Sequence, residues 1–105
     1  MMTLQLVSKS ESLLHEIADQ LLTDRLIANA MISSVGTYKV LSNELKISTS
    51  KQYSLKGISK SLLFSRINKR LQETYGDRMP LVYSEPIILI DAFQIEQIME
   101  QLTKV

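Results

Sequence analysis

Apolar residues recur at steps of one, three and four in two stretches of this chain, and the stretches between them are β-prone. Leu13, Leu14, Ile17, Ala18, Leu21, Leu22 and Leu26 share one helix face, while Glu11, His15, Glu16, Asp19 and Gln20 fall largely on the other. Ser8, followed three residues later by Glu11, is a capping-box signature that opens this helix. Leu63, Ile67, Leu71 and Tyr75 form the stripe of a second helix, with Arg66, Lys69 and Arg70 lying away from it. Ser59 or Ser61 caps it, Gly76 suits its C-terminal turn, and Pro80 follows as a stop. Asp91 caps a terminal helix with Gln94 at the reciprocal position, and Ile95, Ile98, Met99 and Leu102 give that helix an apolar face.

Thr3–Val7 reads as a first strand, with Leu4 and Leu6 on one side. Ala28–Tyr38 is the second: Asn29 and Ala30 are weak β-formers, but Met31, Ile32, Val35, Thr37 and Tyr38 favour the pleated state. Gly36 within it suggests a bulge or a close backbone approach. Ser42-Asn43-Glu44 is a turn signal, and residues 45–58 are β-prone as either one bent strand or two short ones. Met79–Ile90 is the last strand region, in which Pro86 marks an edge position, a bulge or the strand end. The order is that of an α+β, ferredoxin-like βαββαβ domain over residues 1–105: an antiparallel sheet with two helices on one face, followed by a C-terminal helix. Ala30, Ile32 and Tyr83, with the terminal helix, are too apolar for a bare second face, which points to an oligomer.

Composition narrows the function more than it names one. A net charge of +1 supplies no global field to recruit nucleic acid or an anionic membrane. Met1–Val7 lacks a signal peptide's basic start, and no apolar run approaches the roughly 20 residues of a membrane helix. The expected location is the cytoplasm. The absence of Cys removes disulfides, thiolate nucleophiles and thiolate metal sites together. Glu11, His15 and Asp19, four apart on one helix face, offer a divalent metal one imidazole and two carboxylates. Three ligands on one exposed helix lack an orienting outer layer of hydrogen bonds, which favours a plain solvated face. Between Lys39 and Lys60, five lysines and one glutamate leave a local charge of +4. Such a cluster attracts a small anion or, more simply, guards strand edges; no glycine-rich phosphate loop accompanies it. The five methionines are too scattered for a thioether copper site and read as core filling. The serines lack a nucleophile's context, so catalysis is not expected.

Several short pieces, in order, resemble the CutA divalent-ion tolerance family. They are Ile17-Ala18, Leu21 and Arg25-Leu26 with Ala28; Ile32, Val35 and Tyr38-Lys39; and Pro80, Val82, Pro86 and Ile87, opened by Met79 where the family has Val. The resemblance implies a tight homotrimer built through edge strands and a long hairpin, with no established reaction. It implies association with tolerance of divalent cations, copper above all. Val35, Tyr38 and Lys39 on the hairpin, and Pro80, Val82, Pro86 and Ile87 on the late strand, are then the expected interface. Asn29 stands where the family has Cys, Val40 where it has Trp, Tyr75-Gly76-Asp77 where it has His-Pro-Tyr, and Leu81 where it has Glu. The resemblance therefore names no metal ligand in this chain. A second reading of the same plan is a PII-like trimeric regulator binding a nucleotide or another anion in clefts between subunits. The short connection after the second strand, in place of that family's long mobile loop, weighs against it.

Overall fold

The computed structural model describes residues 1–41 and 46–105, so the expected turn at Ser42-Asn43-Glu44, and Leu45 after it, lie outside the described residues. Four strands, β1 (Met2–Ser8), β2 (Met31–Val40), β3 (Ile47–Ser59) and β4 (Leu81–Pro86), form one antiparallel sheet in the order β2-β3-β1-β4. Helices α1 (Glu11–Thr23) and α2 (Phe64–Tyr75) pack on one face, and α3 (Ala92–Gln101) follows β4. This is the ferredoxin-like α+β plan that the order of elements predicts. From Ile47 onward the third β-prone region is one strand.

Register explains which residues build the core. Leu6 pairs with Leu55 and Val82, and Leu4 with Gly57 and Ser84, so even positions of β1 and β4 and odd positions of β3 face the helices. Leu4, Leu6 and Leu55 meet Leu14, Ile17 and Leu21 of α1 and Ile67 and Leu71 of α2 in one buried cluster. Each such side chain contributes roughly 1.5–3 kcal/mol relative to exposure, so the one-sided helix stripes are what hold the layers together. Ile32 pairs with Leu55 and packs, with Ala30, against this same cluster. Their expected place on the second face is corrected: strand parity turns Ile32 toward the helices, and Ala30, just before β2, packs against the same core.

The helix ends also differ from expectation in instructive ways. Ser10, not Ser8, caps α1, its Oγ accepting the Leu13 N–H at 3.2 Å. Ser8 is held in β1 opposite Tyr53, and its hydroxyl accepts the Ser10 N–H instead. The helix stops at Thr23 rather than reaching Leu26, and Leu22 lies on the solvent side at 42% exposure. Beyond the stop, Arg25 takes a left-handed φ of 59°; its N–H reaches the Leu22 carbonyl, and the Leu26 N–H reaches that of Leu21. This is a Schellman turn with arginine where glycine is usual, and it folds Leu26 back into the core. Neither Ser59 nor Ser61 caps α2, which begins instead from a 3₁₀ turn over Ser61–Leu63. The buried Ser59 hydroxyl donates to the Leu26 carbonyl at 2.5 Å. Gly76, with φ 53°, ends α2, and Asp91 caps α3 by accepting the Gln94 N–H at 3.0 Å.

Ala28–Ala30 precede β2 rather than begin it. There the Ala28 N–H donates to the Ile58 carbonyl, and the Asn29 side chain accepts the Ile58 N–H, both at 2.8 Å. This crossing runs directly over Gly57, where a Cβ would sit 2.4 Å from the Asn29 carbonyl oxygen. Gly36 is the wrong glycine for the close approach: it pairs with Lys51 in an unbroken register, with no bulge and open space around it. The last strand is likewise shorter than expected, ending at Pro86, after which residues 87–90 leave the ladder.

Candidate functional site

The features that distinguish this molecule are its free edges, its uncovered sheet face and one long ribbon. β3 pairs with β1 only from Tyr53 to Ser59, so the rest of it, Ile47–Gln52, is bonded to Val35–Val40 of β2 alone. At ~3.3 Å per residue this two-stranded ribbon projects about 20 Å beyond the body, along a molecule 50 Å in its longest extent. Tyr38, Val40 and Ile47 share one side of it and are exposed; Tyr38 is 74% exposed. Lys51 stands over the Tyr53 ring at 5.7 Å from its centroid, at the ribbon's root. Among the described residues, the outer edges of β2 and β4 pair with no further strand.

On the uncovered face, odd positions of β1, β2 and β4 and even positions of β3 come together. Gln5 is only 6% exposed there, and two neighbours hydrogen-bond its amide. Its Nε2 donates to Glu85 at 2.6 Å, and its Oε1 accepts the Tyr83 hydroxyl at 2.7 Å. Farther along, the Thr37 hydroxyl donates to Gln52 at 2.8 Å. Between these two networks lies a concavity of about 390 Å³, lined by Val7, Val35 and Leu81 and by Lys39 and Lys56. Of the five lysines expected to act as a cluster, only these two line it.

The sequence-predicted interface residues divide between the two faces. Val35 and Lys39 line the concavity, while Tyr38 points to the opposite side of the ribbon. Pro80 is buried just before β4, and Val82 packs against the core. Pro86 pairs with Met2 at the strand end, and the Ile87 N–H donates to the Met1 carbonyl at 3.1 Å. Ile88 and Leu89 then stand 88% and 90% exposed. Glu11 and His15 approach to 3.4 Å, but Asp19 does not join them. Among the described residues no three His, Cys, Asp or Glu side chains converge as a metal would require. Within one subunit the described residues do not fit a resident metal.

One residue with a structural task escaped the periodicity argument. The Arg25 guanidinium donates from Nε to the Gln101 carbonyl at 2.8 Å and from Nη2 to the Glu100 carbonyl at 2.5 Å. Its own carbonyl accepts the Thr103 N–H at 2.8 Å. A cation on the last carbonyls of a helix opposes the negative end of its dipole, so Arg25 fastens the end of α3 to the turn after α1. Only the positive φ of a non-glycine residue in that turn would have flagged it, and sequence does not display φ.

No protein-family model matches the chain, and no curated protein does either. Solved structures do. CutA1 from Pyrococcus horikoshii aligns with a TM-score of 0.84 at 15% identity, over 99% of this chain and 100% of that one. The Archaeoglobus fulgidus structure, described as the periplasmic divalent cation tolerance protein CutA, aligns with a TM-score of 0.80 at 19% identity, over 96% and 98% of the two chains. CutA1 from Oryza sativa gives 0.80 at 15% identity, over 99% and 94%. The chain has the CutA fold from end to end, including the helix after β4.

Proposed function

We propose that this chain is a divergent CutA-like protein of divalent-cation tolerance, working as a closed homotrimer by assembly and binding rather than by catalysis. The observation that carries the reading is the projecting ribbon. A two-stranded ribbon standing alone in water is marginally stable, and an unpaired strand edge flanked by exposed apolar side chains invites further pairing. A second copy removes both liabilities by laying its β4 edge against the ribbon. Because β2 and β4 are different edges, that contact is head-to-tail, and repeating it around an axis closes a ring. Val35, Tyr38 and Lys39 supply the ribbon's side of the joint. Pro80 and Val82 set the course of β4, and Pro86 and Ile87 lead into the exposed stretch that meets the ribbon. No copper or other metal is assigned to ligands within one subunit, since the described residues do not converge. The test is the pair of substitutions Tyr38→Asp and Val40→Asp. Together they should release monomers without unfolding the body, and an unchanged mass overturns the ribbon's role.

The concavity between Lys39 and Lys56 supports one second reading: a PII-like trimeric sensor that binds a nucleotide or another anion in a cleft between subunits, with these lysines at its wall. A thermal shift with ATP or ADP that disappears in Lys56→Glu favours the sensor; no shift leaves the CutA-like reading ahead.

A further inference from the structure

We propose that the end of the molecule opposite the ribbon binds a single-chain amphiphile, an alkyl chain ending in a carboxylate. Two adjoining concavities make the case. The first, of about 540 Å³, has walls made mainly by Met1, Leu62, Ile95, Met99 and Val105, almost wholly carbon. Its size lies within the 300–1,000 Å³ usual for small-ligand clefts, and apolar walls with few polar groups are the usual lining. Leu62 is 77% exposed at its rim, an apolar side chain on a short 3₁₀ turn that the core does not use.

The second concavity shares Lys60, Met99 and Lys104 with the first and adds Arg25. Three cations therefore face this cleft, and Glu100 is the one acidic side chain lining it. Their hydrogen bonds are only partly spent. Arg25 holds the carbonyls of Glu100 and Gln101, and the Lys60 ammonium gives one donor to the Thr103 carbonyl at 2.8 Å. Guanidinium and ammonium groups carry five and three donors respectively, so both retain donors for an anion. An apolar trough running into a pocket of excess positive charge is complementary to an alkyl carboxylate: the chain lies along Leu62, Ile95 and Met99, and the headgroup meets Lys60 and Lys104. A headgroup without a chain would forgo the apolar burial, and a neutral chain would forgo the ion pairs.

The cleft lies at the end of the subunit away from its own ribbon: Met1, Lys60 and Ser61 are at the Met2/Ser59 end of the sheet, and the ribbon leaves from the Ser8/Tyr53 end. The β4 edge proposed to meet a neighbouring copy ends beside the cleft, at Pro86 opposite Met2. The test is titration of the full chain with decanoate below its micelle concentration, followed by methyl NMR and calorimetry, with acetate and the neutral decyl glucoside as parallel probes. Saturable shifts at the Leu62, Ile95 and Met99 methyls are expected with decanoate, and none with acetate. Leu62→Glu, at an exposed position, should abolish binding, and Lys104→Glu should weaken it about tenfold, since an exposed attraction becomes a repulsion. Equal affinity for decyl glucoside, shifts confined to another face, or no shifts at all would each overturn the proposal. Light scattering on the same samples reports assembly separately, so either idea can fail alone.

Discussion

Replacing Gly57 by alanine should be among the most damaging conservative changes in this protein, and the structure sets the scale. The added Cβ would lie 2.4 Å from the Asn29 carbonyl oxygen and 3.3 Å from Ile27 Cδ1. Real Cβ atoms do not approach backbone within 3.0 Å, so the crossing segment must lift by some 0.6 Å. That lift stretches the two hydrogen bonds to Ile58, each 2.8 Å in the native chain. It also drags Ile27, which is buried in the core cluster. Overpacking costs about 1–3 kcal/mol and each weakened hydrogen bond about 0.5–1.5 kcal/mol, so a loss of about 2–6 kcal/mol is expected. For a chain of this length that is a fall in Tm of roughly 10–30 °C. Urea denaturation and calorimetry at fixed chain concentration measure it, with Gly36→Ala as the control. Gly36 has open space around it, so its variant should stay within about 0.5 kcal/mol of the parent. If Gly57→Ala matches the parent, or Gly36→Ala is the worse of the two, the account of the crossing is wrong.

Three further substitutions probe other joints. Arg25→Ala should strip hydrogen-exchange protection from the last turn of α3 and cost about 1–2 kcal/mol; Arg25→Gly relieves the positive φ yet should loosen α3 equally, and protection retained in both would refute the fastening. Ser10→Ala should cost about 1 kcal/mol by urea midpoint, and Ser8→Ala clearly less; the reverse order would reinstate the capping box. Burial of the Tyr75 ring, then the nearby Glu16 carboxylate, push its phenol above the ordinary value of 10.0. Above that pH the unfolded chain releases the proton first, so stability falls as pH rises. The stability difference between parent and Tyr75→Phe should therefore shift against the parent between pH 8 and pH 11, and a constant difference would contradict the assignment.

What the sequence made legible was periodic. The stripe of Leu63, Ile67, Leu71 and Tyr75 is buried as spaced, and so are Leu13, Leu14, Ile17 and Leu21 of α1. Order of elements then dictated the sheet plan. What it hid was chosen by contacts distant in sequence. Local sequence favours Ser8, with Glu11 three residues on, and its pairing with Tyr53 in β1 leaves the cap to Ser10. Gly36 and Gly57 are the same residue type in neighbouring strands, and only the path of Ala28–Ala30 shows which one needs to lack a side chain. The side taken by Ile32 follows from register, which a count of β-branched residues cannot supply. The resemblance offers the interface residues as one set, but pleating places Val35 and Tyr38 on opposite faces. Arg25 was visible only as part of that resemblance; its hold on α3 spans the length of the chain.

The account depends on the ribbon and the β4 edge being joints between copies, and the mass of the unmodified chain in solution tests this most directly. Multi-angle light scattering across a dilution series from high to low micromolar should give three times the 12.0 kDa chain mass throughout. A particle of one chain mass over that range would contradict it.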